Sequence, residues 1–425
     1  MRFGSAKDLI TPPFNMKIAC SGKFEADFEY IHDDVFVRCL VMDDGKAKTA
    51  MFAFDILFHD RTLNNNLAAY AAEKYGMNPS AVIVGSTHTH MGPASSGYNR
   101  NFYSPEYEVF MLDRAKTCLD RAMCSMYDGT VEHAVFDAEF NISRRGIVDG
   151  KFANFPAPTR KRDTEFALLI VRDLFGNVRS IVMSYACHPV FYPAQRSISA
   201  EFPGRVCQLL DTKYYGCTSL FFQGSGGDVR PAATVVDGKF ASPLPFSYIE
   251  KFAQSISDAV SAEVDKKGTR LDLSIASDAF AINLPMAPIT LEEFEAKLQL
   301  HSWNKNNPNY LNADYIVNKG GYDKLSDSLD LHCQTVQLTD NLVIATVGGE
   351  PTSGVRYRVE EGLAGKKVFF IGYTDACAYI VDDTELAEGG YEATCHNEYC
   401  LKGPFKPGLD KLFHEGFAAS LKNLK

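Results

Sequence analysis

One stretch of the chain, residues 81–93, limits most strongly what fold the chain can adopt. Its sequence, AVIVGSTHTHMGP, begins with four apolar residues, which is typical of a short buried strand. It ends at a Gly-Pro pair that cannot continue a hydrogen-bonded ladder. Between them lie His88 and His90, and side chains two apart on an extended chain point to the same side. Two such imidazoles suit a zinc ion or a hydrolytic site, or they simply hydrogen-bond nearby backbone.

The composition narrows the class of protein and of partner. The 425 residues are 46% hydrophobic and 23% charged, which is ordinary for a globular protein of one large domain or of two to three smaller ones. The net charge of −10 argues against nucleic acid or an anionic membrane as the main partner. No apolar run approaches the ~18 residues of a membrane span. We therefore expect a small-molecule partner, and the oligomeric state stays open.

The N-terminus and the cysteines bear on location. The first fourteen residues, MRFGSAKDLITPPF, lack the apolar core of a secretory signal. The 11 cysteines are scattered and include no Cys-x-x-Cys pair, which indicates free thiols in a reducing compartment. We expect a cytoplasmic protein, or a secreted one whose signal has been removed.

Strand and helix signals alternate along the chain, and this favours an α/β fold. Predicted strands cover residues 9–14, 36–42, 49–57, 81–84, 131–141, the hairpin 166–190, the start of 219–231, 271–284, the pair within 335–346, and 367–373. Predicted helices cover residues 61–75, 107–127, 203–215, 246–264, 290–303 (N-capped by Thr290, with Glu293 three residues on) and 406–424. Residues 304–322 have the weakest order signals. Ligands of such folds gather beyond the carboxyl ends of the strands.

Further polar residues stand where a strand stops. His188 precedes a proline at the end of the predicted hairpin, and Glu350 lies between glycine and proline after another strand. A lone histidine is more often structural, but His88, His188 and Glu350 together form the ligand set of a catalytic zinc with an open position. Asp55 interrupts a strand near its end, so it is either buried with a partner or aimed at a site.

Five motifs in order resemble the catalytic domain of the neutral/alkaline, non-lysosomal ceramidase family. They are THTHMGP, ACHPV, GGDVRP, GGEPTSGVRYR and AYIVDDTELAEGGYEA, and they extend along nearly the whole chain. The last contains Tyr379 and Tyr391, which keep the spacing of the family's paired tyrosines. The resemblance implies zinc-dependent hydrolysis of a linear N-acyl amide by a metal-activated water. It implies a zinc ion held by His88, His188, Glu350 and Tyr379, with His90, Arg144 and Tyr391 around the scissile amide.

Two departures from the family pattern bear on the substrate. Arg230 stands where the family motif Gly-Asp-Val-Ser-Pro has serine, and we predict that Arg230 and Asp228 contact the substrate. Arg230 either binds an anionic group, pairs with Asp228 or turns to solvent. The family commonly carries a C-terminal immunoglobulin-like domain, which we do not expect here.

Residues 1–425 are thus predicted to form one large α/β domain of mixed sheets flanked by helices. The alternatives are a zinc esterase or amidase acting on a non-lipid compound, and a catalytically silent binding protein.

Overall fold

Two mixed β-sheets lie at the centre of the fold, and helices cover their outer faces. The computed structural model describes residues 1–19, 27–96, 104–193, 196–266, 268–305, 308–375 and 378–424. The mixed α/β class predicted from the sequence is confirmed.

The bounds of the regular elements are as follows. The described strands are β1 (Arg2–Leu9), β2 (Tyr30–Ile31), β3 (Phe36–Asp43), β4 (Lys48–Phe54), β5 (Val82–Ser86), β6 (Tyr127–Asp137), β7 (Asn141–Val148), β8 (Lys151–Ala157), β9 (Glu165–Asp173), β10 (Val178–Tyr185), β11 (Ser197–Ile198), β12 (Thr218–Gln223), β13 (Val229–Pro231), β14 (Val235–Val236), β15 (Lys239–Phe240), β16 (Thr269–Leu271), β17 (Ala276–Pro285), β18 (Ser328–Thr339), β19 (Leu342–Val347), β20 (Glu350–Pro351), β21 (Lys367–Ile371) and β22 (Tyr379–Ile380). The described helices are α1 (Arg61–Tyr75), α2 (Pro105–Cys124), α3 (Glu201–Lys213), α4 (Phe246–Asp265), α5 (Leu291–Leu300), α6 (Pro308–Asn318), α7 (Ser353–Gly362), α8 (Asp383–Glu388), α9 (Tyr391–Thr394) and α10 (Leu409–Asn423).

The larger sheet has the strand order β12-β10-β9-β6-β1-β3-β4-β5, and β16 adds to β6. It bends where β1 meets β6, because these strands pair through only two residues each. The bend brings β12 back against β3, β4 and β5. A side chain on Gly85 of β5 would place its Cβ 2.7 Å from the ring of Phe222 on β12, so this approach requires glycine.

The smaller sheet, β17-β18-β19-β21, completes a central core shared with both halves of the larger sheet. Strands that face this core are apolar on both sides, because helices bury the opposite face. On β9, for example, Leu169 and Val171 face the central core, while Leu168 and Ile170 face α3 and α4. Parallel pairs are β4 with β5, β10 with β12, and β19 with β21.

The helices pack in three groups on the outside of the sheets. α1 and α2 cover β1, β3, β4 and β5, α3 and α4 cover β9, β10 and β12, and α7 and α10 cover the smaller sheet. In the described part of the chain, no helix combines the length and the apolar character that a membrane crossing requires.

The structure confirms most predicted elements and corrects three. The β3–β4 hairpin, helix α1 and the capping box at Thr290 are as expected. The strand predicted over residues 9–14 is wrong, since β1 ends at Leu9, before the two prolines. Residues 304–322 contain helix α6, although 306 and 307 lie outside the described residues. The strand predicted over residues 131–141 ends at Asp137, and Asn141 already begins β7.

The carboxylate that interrupts β4 is structural. Asp55 is fully buried and accepts hydrogen bonds from the Arg38 guanidinium at 2.5 Å and from the backbone N–H of Phe36 at 3.0 Å. Of the two predicted roles, a buried carboxylate with a partner is the one observed.

Candidate metal centre

Three buried imidazoles meet beyond the ends of the strands. The Nε2 atom of His88 lies 3.1 Å from that of His188 and 3.2 Å from that of His90. The Nε2 atoms of His90 and His188 are 3.0 Å apart. Tetrahedral ligands about 2.0–2.1 Å from a zinc ion are themselves separated by a little over 3 Å, so this triangle matches the spacing of a shared ion.

The local backbone explains how His88 and His90 come together. β5 ends at Ser86, and His88 adopts a left-handed conformation with φ of 65°. Its N–H donates to the carbonyl of Ile56 just after β4, at 3.0 Å. The sequence argument that an extended chain aligns the two side chains is therefore wrong, although the two imidazoles do converge. A turn held by neighbouring strands brings them together, at a cost in backbone strain that is typical of functional sites.

The carboxamide of Gln223, at the end of β12, holds the two histidine segments in place. Its Nε2 donates to the carbonyl of Thr87 at 3.0 Å and to the carbonyl of Cys187 at 2.9 Å. Its Oε1 accepts from the N–H of Cys187 at 3.3 Å. The residues before His88 and His188 are thus tied to one fully buried side chain.

Glu350 adds a carboxylate to the imidazoles. It lies on β20, which pairs in parallel with β22, and its register partner is Tyr379. The Oε1 atom accepts a hydrogen bond from the Tyr399 hydroxyl at 2.7 Å. The Oε2 atom lies 3.2 Å from Nε2 of His88 and 3.9 Å from Nε2 of His188, and it is buried with no hydrogen-bond partner in the part of the chain that the structure describes. A buried carboxylate oxygen without a donor beside imidazole nitrogens fits a cation between them.

The outer nitrogens of the imidazoles distinguish the three histidines. Nδ1 of His88 lies 3.0 Å from the carbonyl of Leu57, and Nδ1 of His188 lies 3.3 Å from the carbonyl of Gly226. A carbonyl only accepts, so both Nδ1 atoms carry the proton and both Nε2 atoms present a lone pair. Nδ1 of His90 instead lies 2.8 Å from the Tyr192 hydroxyl, and a hydroxyl can both donate and accept a hydrogen bond. The tautomer of His90 is therefore not fixed by its partner.

Burial also favours the neutral form of two of the imidazoles. It lowers the pKa values of His90 and His188 well below the usual value. Neutral imidazole is the form that binds a metal ion.

Two consecutive arginines approach the centre from β7. A register shift in the β7–β8 pairing between Ser143 and Arg145 interrupts the alternation of side chains. Both arginines then reach one carboxylate: Nε of Arg144 donates to Glu392 Oε1 at 2.8 Å, and Nη1 of Arg145 donates to Glu392 Oε2 at 2.6 Å. The guanidinium carbon of Arg144 also lies 5.0 Å from the ring of Tyr379.

Solved structures that resemble the chain decide its fold. The crystal structure of neutral ceramidase from Pseudomonas aeruginosa aligns with a TM-score of 0.76 and 16% identity, over 100% of this chain and 75% of that chain. The chain has the neutral ceramidase fold. A second structure, described as ceramidase complexed with C2, aligns with a TM-score of 0.75 and 15% identity, over 99% of this chain and 75% of that chain. No family model matches the sequence, and neither does any curated protein.

The neutral ceramidase fold places the other predicted residues around the centre. Tyr391 begins α9; its ring lies 5.4 Å from that of Tyr379, and its hydroxyl donates to Glu398 at 2.7 Å. Asp228 is buried and accepts from the backbone and hydroxyl of Ser353, at 2.8 and 2.9 Å. Burial raises the pKa of Asp228 to about 6. Arg230, on β13, is buried and does not pair with Asp228.

The sequence analysis did not identify four residues of this centre, namely Gln223, Tyr192, Tyr399 and Glu392. Gln223 carries the same signal as the histidines, a polar side chain at the end of a buried strand. The tyrosines resemble the other tyrosines of an aromatic-rich chain. Nothing near Glu392 in the sequence indicates its partners, which lie more than 240 positions away.

Proposed function

We propose that this chain is a zinc-dependent amidohydrolase that cleaves a linear N-acyl amide. The observation that carries the proposal is the buried group of three imidazole Nε2 atoms, 3.0–3.2 Å apart, beside an Oε2 atom of Glu350 that has no hydrogen-bond donor. Imidazole and carboxylate are the ligands of catalytic zinc, whereas magnesium and calcium take oxygen ligands.

His88, His188 and Glu350 are the residues that would hold the ion, with Tyr379 next to Glu350 as a fourth candidate ligand. The carbonyl partners of His88 and His188 support this assignment, because they keep the Nε2 lone pairs available. A zinc ion there would polarise an amide carbonyl and activate water at neutral pH.

His90 is the residue that we assign to proton transfer. Its Nε2 lies within 3.2 Å of both other imidazoles, and its Nδ1 contacts a hydroxyl that accepts or donates. His90 can thus give a proton at Nε2, on the side of the centre, while its Nδ1 takes one from the Tyr192 hydroxyl. This is what protonation of a leaving amine requires.

Arg144 supplies a hydrogen-bond donor in the same assignment, and Tyr391 lies beside it. The Nη2 atom of Arg144 is buried and has no partner among the described residues. Glu392 fixes the rest of the guanidinium, so Nη2 is a preorganised donor for negative charge that develops on the carbonyl oxygen. Tyr391 stacks on the other side, with the guanidinium carbon of Arg144 5.7 Å from its ring.

The fold supports an amide as the bond cleaved, since the structures with which the chain aligns are ceramidases.

The proposed function is tested on the purified full chain. We expect about one zinc per chain by elemental mass spectrometry and release of the free amine from N-acyl amides, with loss of turnover after chelation and recovery on zinc addition. A protein that neither contains nor takes up a transition metal would contradict the proposal. Zinc without turnover would indicate a silent binding protein, and cleavage of esters alone would indicate an esterase.

Replacing Tyr192 with phenylalanine removes only the hydroxyl that contacts His90. We expect normal zinc content, a rate about 10- to 100-fold lower, and an altered pH profile of kcat, since the partners that orient catalytic imidazoles have effects of this size. Steady-state kinetics from pH 5 to 9 would measure both.

A matched control is Tyr214→Phe, whose hydroxyl makes two long contacts, 3.5 Å to the Ser261 carbonyl and 3.4 Å to Asp265 Oδ1. It should leave the rate and the pH profile unchanged. Equal behaviour of Tyr192→Phe and Tyr214→Phe would exclude a role for Tyr192.

A further inference from the structure

One buried arginine next to the metal centre has no carboxylate partner. Arg230 is 8% exposed, and its Nε atom has no hydrogen-bond partner among the described residues. Its Nη2 donates only a long bond of 3.4 Å to the carbonyl of Val190, and its guanidinium carbon lies 4.4 Å from the ring of Phe240. Among the described residues, no carboxylate oxygen lies within ion-pair distance of Arg230.

The other buried arginines of the described chain show how unusual this is. Arg38 pairs with Asp55, Arg356 pairs with Asp163, and Arg144 and Arg145 share Glu392. A guanidinium taken out of water costs several kcal/mol unless an anion compensates for it. Arg230 is the exception in this group, and burial lowers its pKa to about 10.

Arg230 is also close to the reacting groups. On β13 it lies opposite Ile142 of β7, two residues before Arg144. Its charge acts on the imidazole of His90, and the charge of Arg144 acts on Arg230. Arg144 likewise has a buried Nη2 atom without a partner.

The nearby carboxylates form no ion pair with Arg230. Asp228 accepts from Ser353 through Oδ1, and Glu201 accepts from the N–H groups of Phe191 and Tyr192 through Oε1. The charge of Glu201 can act on Arg230, but burial raises the pKa of Glu201 to about 8, which favours its neutral form at pH 7. Among the described residues, Arg230 therefore has no direct anionic partner.

We propose that Arg230 binds a carboxylate of the substrate, so that the substrate is an N-acyl amino acid. A single carboxylate matches the single positive charge of Arg230, and the planar fork of a guanidinium matches carboxylate geometry. Phe240 lies at 4.4 Å from the guanidinium carbon and helps to hold the fork in place for the ligand. This inference rests on the proposed function. Water then adds across the C–N bond, and the products are a carboxylic acid and a free amino acid.

The test compares two substrates that differ only in charge, N-lauroylglycine and N-lauroylglycinamide. For the wild-type protein we expect a kcat/KM ratio of about 10 to 100 in favour of the anion, the effect of one charge-assisted bidentate contact. Arg230→Met should bring this ratio close to one, and Arg230→Lys should retain part of it. Arg205→Met, on the exposed face of α3, is the matched control and should keep the wild-type ratio.

Each outcome has a defined meaning. A wild-type ratio near one, or an equal ratio in wild type and Arg230→Met, would overturn the anion subsite. If Arg230→Met does not fold, the wild-type ratio and Arg230→Lys decide the question.

Preference for a matched phosphate monoester over the carboxylate would overturn the carboxylate assignment. Failure to hydrolyse either compound would count against the proposed function, and binding of N-lauroylglycine by calorimetry, weakened in Arg230→Lys and lost in Arg230→Met, would still support the subsite.

Discussion

Replacing His188 with alanine is expected to remove bound zinc and hydrolytic activity together. The change deletes an Nε2 atom 3.1 Å from that of His88 and 3.9 Å from Glu350 Oε2, and it leaves a cavity among buried groups. Removing a residue that only hydrogen-bonds a metal ligand typically costs about 10- to 100-fold in metal affinity or activity. Removing a ligand itself should therefore cost more than about 100-fold in both. Elemental analysis after gel filtration, together with steady-state kinetics, would measure the two effects.

The comparison with His90→Ala tests the division of roles among the histidines. If His90 transfers protons and does not hold the ion, this variant keeps its zinc and loses about 10²- to 10⁴-fold in rate. Zinc loss equal to that of His188→Ala would instead make His90 a third imidazole ligand. His414→Ala, on the exposed face of α10, is the control and should alter neither zinc content nor rate.

Replacing Glu392 with glutamine should have the largest effect on stability. The change keeps the shape but removes the carboxylate charge shared by Arg144 and Arg145, which are 4% and 2% exposed. Breaking a buried ion pair by removing one partner costs about 3–5 kcal/mol, because the remaining charge stays buried without compensation. We expect a loss of this size in the free energy of unfolding, measured by urea denaturation.

Glu361→Gln is the matched control for this prediction. Glu361 pairs with Arg358 at 2.7 Å on the surface, where such pairs contribute about 0–1 kcal/mol. Similar small losses in both variants would contradict the structural role of Glu392.

The stabilisation by Glu392 should also depend on pH. Burial alone would raise its pKa, but the charges of Arg144 and Arg145 outweigh burial and hold the pKa below its usual value. A carboxyl group with a lowered pKa stabilises the fold above its unfolded pKa, and this contribution disappears as the pH falls through the folded pKa. The gap between wild type and Glu392→Gln should therefore narrow on acidification.

Local sequence pattern was sufficient for much of the architecture and for the position of the centre. The β3–β4 hairpin and helix α1 carry their own periodicity and stop signals, and both were predicted within a few residues. His88, His188 and Glu350 were found because each follows a short apolar strand, and strand ends are where α/β folds place ligands.

The sequence could not indicate which distant side chains form hydrogen bonds and ion pairs with one another. Glu392 binds arginines from a strand that precedes it by more than 240 positions, and the shift in the β7–β8 register that brings both to it has no local signature. The sequence left three possible roles for the Arg230 side chain. Pairing with Asp228 was excluded only by the structure, in which Asp228 accepts hydrogen bonds from Ser353. The left-handed conformation of His88 likewise depends on contacts with the segment after β4.

The clamp formed by Gln223 has a consequence for the order in which the centre is assembled. His88 and His188 are separated by 100 positions, and Gln223 joins their segments only once β5, β10 and β12 have docked. Capture of a metal ion would thus follow tertiary folding, in contrast to small zinc domains, whose chains fold only when metal binds. Since ordinary hydrogen bonds already hold both loops, loading would order little additional backbone, and we expect that the chain can be emptied and refilled as a folded scaffold.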